Sequence, residues 1–160
     1  MTGGLIGTLA RVSGRTWTGR THSGKRQRMT TRRGSCLCGA RSYEIEGDLD
    51  GVWMCHCSLC RKATGAGGIA ILIVPKERFH WLTGEEHGVT FELRPSYSMS
   101  RCKTCGTPLP AEVDDRNVYV TAGTLDEPLG AGITTHIFCA SKADWDFDAE
   151  TVRHFEENAR

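Results

Sequence analysis

Gly34-Ser-Cys-Leu-Cys-Gly39 and Arg101-Cys-Lys-Thr-Cys-Gly106 bracket a third cluster, Cys55-His-Cys-Ser-Leu-Cys60, and these three stretches decide how the chain folds. In the first, Cys36 and Cys38 stand two apart, so on an extended strand both side chains point to one side. In the second, Cys102 and Cys105 form the C-x-x-C of a zinc knuckle. A glycine follows each pair and lets the chain turn tightly around a metal. Together the two pairs supply four thiolates, the full tetrahedral shell of a structural zinc. Such a metal would tie distant parts of the chain together and contribute on the order of 10 kcal/mol of apparent folding energy. Cys55, Cys57 and Cys60 supply three thiolates, one short of a closed shell, and an open position marks a catalytic or ligand-binding zinc. His56 lies between two of them and on an extended segment points away from the metal. Spacing alone also allows Cys102 and Cys105 to complete a site with two members of the trio.

Eight cysteines are an even number, which admits disulfides. No export signal precedes them, because Leu5 to Val12 is interrupted by Gly7, Thr8 and Arg11. Under reducing conditions clustered cysteines more often bind metal, and a cytoplasmic location is expected. Iron–sulfur ligation also uses thiolates, but two compact pairs and a separate trio fit zinc better. Cys139 stands apart in Thr134-Thr-His-Ile-Phe-Cys139, where a strand entering the core would make it a small buried hydrophobe. The sharper alternative is a redox cysteine.

The 160 residues suit one domain. The longest apolar run, Ile69 to Val74, has the length of a strand and falls far short of the roughly 20 residues a membrane span needs. The net charge of +1 hides an asymmetry: eight Lys or Arg and no acid precede Gly34, which leaves the remainder at a net −7. A basic patch on the folded body is therefore not expected, and nucleic acid is not the expected partner. Residues 1–33, rich in Gly, Thr, Ser and Arg, lack apolar periodicity and are expected to be disordered. Met29 offers an alternative start. A folded domain is expected over 34–150 and a short tail over 151–160.

Strand and turn signals dominate from Gly34 onward. Strands are expected at 41–46, 52–56, 69–74, 79–82, 89–93, 97–101, 117–121 and 134–138. The strand at 69–74 is apolar on both faces and should be buried. Pro75 opens a short turn to Arg78. Helix is expected only near Ser58 to Thr64, with a further candidate in the tail. The class is mainly β, built around metal sites.

The chain resembles the family of glutathione-dependent formaldehyde-activating enzymes, which also contains centromere protein V. The matching stretches are Gly34-Ser-Cys-Leu-Cys-Gly-Ala40, Cys55-His-Cys-Ser-Leu-Cys-Arg-Lys-Ala-Thr-Gly-Ala66, Arg101-Cys-Lys-Thr-Cys-Gly106, Ala122-Gly-Thr-Leu-Asp126, His136-Ile-Phe138 and Ser141-Lys-Ala-Asp-Trp145. The resemblance implies a β-tent fold with two zincs. It assigns Cys36, Cys38, Cys102 and Cys105 to a structural site, and Cys55, Cys57 and Cys60 to an open, catalytic one. It implies a carbon–sulfur lyase activity that joins formaldehyde to glutathione. Arg61 and Lys62 beside the trio are candidates to attract a substrate carboxylate, while His136 and Trp145 match motif positions but read as packing residues. Cys139 and Arg41-Ser42 sit where the pattern favours apolar residues. The competing reading is a non-catalytic interaction module in which both zincs are structural. A relative of the methionine sulfoxide reductases, with Cys139 as nucleophile, would leave the trio without a purpose.

Overall fold

In the computed structural model, residues 30–94, 97–146 and 152–157 are described. The expected disordered extension, apart from its last four residues, lies outside them. The first strand, β1 (Thr31–Ser35), nevertheless opens inside the stretch expected to lack order. It is followed by β2 (Ser42–Glu46), β3 (Val52–Cys55), α1 (Ser58–Thr64), β4 (Ile69–Pro75), β5 (Phe79–Thr83), β6 (Gly88–Arg94), β7 (Tyr97–Cys102), β8 (Ala111–Glu112), β9 (Asn117–Thr121) and β10 (Ile133–Ile137). The protein is mainly β, as the turn and strand signals predict.

Among the described residues, three sheets organise the strands. One runs β1-β2-β5, one runs β10-β3-β4-β9-β8, and β6 and β7 form a two-stranded ribbon. All pairings are antiparallel except that β10 lies parallel to β3. β4 is central because its sequence is apolar on both faces. Successive side chains on a strand point to opposite sides. Leu72 and Val74 therefore turn one way, into a core with Tyr43, Ile45, Val52, Val118 and Val120. Ile69 and Ile71 turn the other way and line a cavity. Ile73, next along that second face, is partly exposed, so burial of the strand is incomplete at that end.

The β1–β2 pair is fixed by a close approach. Gly34 lies opposite Tyr43, and a Cβ on Gly34 would stand 2.2 Å from the tyrosine ring and 2.6 Å from the Thr124 carbonyl oxygen. The absent side chain leaves room for the buried Tyr43 hydroxyl to meet Thr124 Oγ1 at 2.7 Å. Arg41, which the apolar pattern did not anticipate, is buried with its guanidinium 3.7 Å over the Trp81 ring. Stacking of this kind lets an arginine occupy an apolar position. The tail, described over 152–157, forms no helix there.

Candidate metal centres

The turn after β1 and the turn after β7 carry the two outer cysteine pairs to one place. In the first, Gly39 adopts φ +73 and its N–H donates to Cys36 O at 2.8 Å. In the second, Gly106 adopts φ +75 and donates to Cys102 O at 2.9 Å. Both glycines supply a left-handed conformation that costs other residues about 1 kcal/mol or more. Thr107 links the turns: its Oγ1 accepts from Leu37 N at 3.1 Å and lies 3.2 Å from Cys105 Sγ. Hydrogen bonding from Thr107 pulls the Cys105 thiol down to about 5. Such a group presents a thiolate, the form that binds metal.

All four sulfurs of Cys36, Cys38, Cys102 and Cys105 lie within 4.8 Å of one another. Cys36 and Cys38 Sγ are 3.5 Å apart, and Cys38 and Cys102 Sγ are 3.8 Å apart. Thiolates held at about 2.3 Å around a tetrahedral zinc stand ~3.8 Å from each other. Four sulfurs at this spacing, not joined as disulfides, fit a metal of that size and geometry.

The trio is assembled at the junction of β3 and α1. Cys55 ends β3, and Cys57 caps the helix, where its Sγ accepts from Cys60 N at 3.3 Å. Cys55, Cys57 and Cys60 also bring their sulfurs within 4.8 Å of one another. Burial raises the Cys60 thiol, a cost that a bound cation would offset by favouring thiolate. The helix stops at Gly65, φ +70, after one short stretch. Gly68 then lets β4 pass directly against β3, since a Cβ there would meet Cys55 O at 2.6 Å. The two clusters are separate, so Cys102 and Cys105 group with Cys36 and Cys38 and not with the trio.

Cys55 and Cys60 form part of the wall of a cavity of about 350 Å³, together with Ile69, Ile71, Tyr97 and Tyr119. None of the four-cysteine cluster lines that cavity; Cys36 borders a separate, more open depression of about 380 Å³ with Ser35, Leu37, Thr107 and Thr124. Arg61 and Lys62, proposed from sequence as carboxylate attractors, do not line the cavity either. The aromatic pair Tyr97 and Tyr119 was not legible as part of the site, because both alternate within ordinary strand patterns.

His56 points away from the trio, as the alternation predicts. It is buried, with Nε2 2.8 Å from His136 Nδ1 and Nδ1 within 3.3 Å of Gly67 O and 3.2 Å of Asp146 Oδ2. The two imidazoles stack nearly parallel at 5.1 Å. His136 is thus both a hydrogen-bond partner of His56 and stacked against it. Two expectations fail. Cys139 is exposed, because Phe138 takes a left-handed φ of +57, ends the strand and sends Cys139 into a surface 3-10 turn. Trp145 is 66% exposed and forms no part of the core.

With this geometry in place, residues 31–141 match the model of the glutathione-dependent formaldehyde-activating enzyme family. The chain belongs to that family. A similar fold occurs in the crystal structure of a Rhodobacter sphaeroides protein from a structural genomics programme. That protein shares 20% identity at a TM-score of 0.51, over 64% of this chain and 99% of the other.

Proposed function

We propose that the protein is a zinc-dependent carbon–sulfur lyase-type enzyme that joins a small aldehyde to a thiol at the three-cysteine site. Formaldehyde and glutathione are the pair named by the family. The observation that supports this most directly is the contrast between the two clusters. Four sulfurs make a complete tetrahedral set, while the three-sulfur set is one ligand short and two of its members, Cys55 and Cys60, form part of the wall of a largely apolar cavity.

In the forward direction a thiol loses its proton, its sulfur attacks the aldehyde carbon, and the new C–S bond forms as the C=O π bond opens. The displaced electron pair ends on oxygen, which takes up a proton. Bound zinc would favour the thiolate form of an entering thiol or polarise the aldehyde oxygen. Cys55, Cys57 and Cys60 hold that metal. The cavity brings the two reactants together and removes part of the entropic cost of their encounter. Cys36, Cys38, Cys102 and Cys105 hold a second zinc whose role is structural.

Exchange NMR on an equilibrium mixture of formaldehyde, glutathione and their adduct tests the reading. The adduct forms spontaneously, so acceleration above the protein-free rate is the signal. Acceleration by zinc-loaded protein that disappears in Cys57→Ala, with the fold retained, supports the enzyme. A protein carrying both zincs that accelerates nothing refutes this thiol–aldehyde pair.

A further inference from the structure

The wall of the cavity next to the trio has a composition that bears on what enters it. Beyond Ile69 and Ile71 it includes Met99, Val113 and Ile137, and among the described residues it contains no Lys, Arg or His. The charged residue among those described in the wall is Glu112, whose carboxylate is held by Lys76 Nζ at 2.9 Å. The hydroxyls of Tyr97 and Tyr119, which also line it, are buried and, among the described residues, make no hydrogen bond of ordinary geometry, the Tyr97 hydroxyl lying beside Cys60. The nearby guanidinium of Arg101 is committed elsewhere, donating to Gly106 O at 2.7 Å and to Ala63 O.

Resting on the thiol–aldehyde reading above, we propose that the thiol accepted at the three-cysteine site carries a compact, uncharged, apolar group, aromatic or branched, with a polar end that bonds to the Tyr97 and Tyr119 hydroxyls. A charged tripeptide thiol is the weaker occupant of the two. Glutathione brings two carboxylates and an ammonium, and the wall offers those carboxylates no cation and a carboxylate of its own. Desolvating a carboxylate without a partner is costly. The volume of about 350 Å³ sits at the small end of the roughly 300–1,000 Å³ typical of small-molecule sites. Orphaned hydroxyls in an otherwise apolar pocket are the few placed polar groups that orient a ligand. A ligand atom that satisfies them removes an unmet hydrogen-bonding demand.

Calorimetric titration of the reduced, zinc-loaded protein separates the possibilities, with phenylethanethiol, its para-hydroxy derivative and glutathione as probes. Phenylethanethiol should bind at least ~10-fold more tightly than glutathione, a discrimination within reach of an apolar pocket. Val113→Arg, at a half-exposed wall position, should weaken phenylethanethiol and strengthen glutathione. Tyr119→Phe should reduce the affinity of the para-hydroxy thiol while sparing phenylethanethiol. Glutathione binding as tightly as phenylethanethiol or tighter, and lost in Cys57→Ala, would overturn the inference and leave the zinc–thiol reading standing. Phenylethanethiol binding that ignores Val113→Arg would also overturn it, because the cavity would not be the site. If no thiol binds protein shown to hold both zincs, the inference and the reading beneath it fall together.

Discussion

Tyr43 keeps its proton because burial pushes its hydroxyl up to about 12, from an ordinary value near 10. The folded state then binds this proton more tightly than the unfolded state does. The resulting stability is fully present below pH 10 and is lost as pH rises toward 12, with a ceiling of about 2–3 kcal/mol for this one group. Tyr43→Phe, which cannot ionise, should melt less steeply with pH across that window in thermal denaturation by circular dichroism. At neutral pH it should cost ~1 kcal/mol, the bond to Thr124 Oγ1. At this scale the sequence was uneven to read. The seven ligand-type cysteines were legible because metal spacing is local chemistry. Cys139 was not, since a single φ of +57 at Phe138 turns the chain to the surface there and no neighbour's identity announces it; nor was the exposure of Trp145. Arg41 became intelligible only once Trp81 was seen beneath it.

The strand is the next scale, and β4 shows its two faces most plainly. Leu72 belongs to the core side, so Leu72→Ala should cost about 2–5 kcal/mol in chemical denaturation. It should leave the zinc content unchanged, because the metal ligands lie elsewhere. Gly68→Ala, just before the strand, makes the opposite kind of perturbation. Its Cβ would press on Cys55 O at 2.6 Å, a backbone atom that cannot swing aside. We expect a loss of ~1–3 kcal/mol from overpacking, with zinc leaving the trio at lower chelator concentration than in the wild type. Gly123→Ala, where a Cβ meets nothing within 4 Å, is the matched control. Of the strands, those with apolar alternation were readable in advance. β1 was not, since Thr31-Arg-Arg-Gly-Ser35 has no alternation, and its pairing depends on Gly34 admitting Tyr43. The two-residue β8 is too short to carry a pattern.

Across the molecule, the two candidate metal sites should differ in what they hold together. The four-cysteine set joins the turn after β1 to the turn after β7, whereas the trio spans only the end of β3 and the start of α1. Cys105→Ser should therefore lose cooperative melting as well as zinc. Cys57→Ala should keep its far-ultraviolet spectrum and fall from two zincs to one, as read by metal analysis of the dialysed protein. Graded chelation should show the same order, with one zinc removed while the fold persists and unfolding on removal of the second. The long sequence distance between Cys38 and Cys102 has a further consequence during synthesis. Cys36, Cys38, Cys55, Cys57 and Cys60 are all made before Cys102 and Cys105. A zinc ion captured by the nascent chain meets donors belonging to two different destinations. Sorting them would wait for the second knuckle, so the supply of free zinc during translation is expected to set how many chains begin with the wrong four sulfurs.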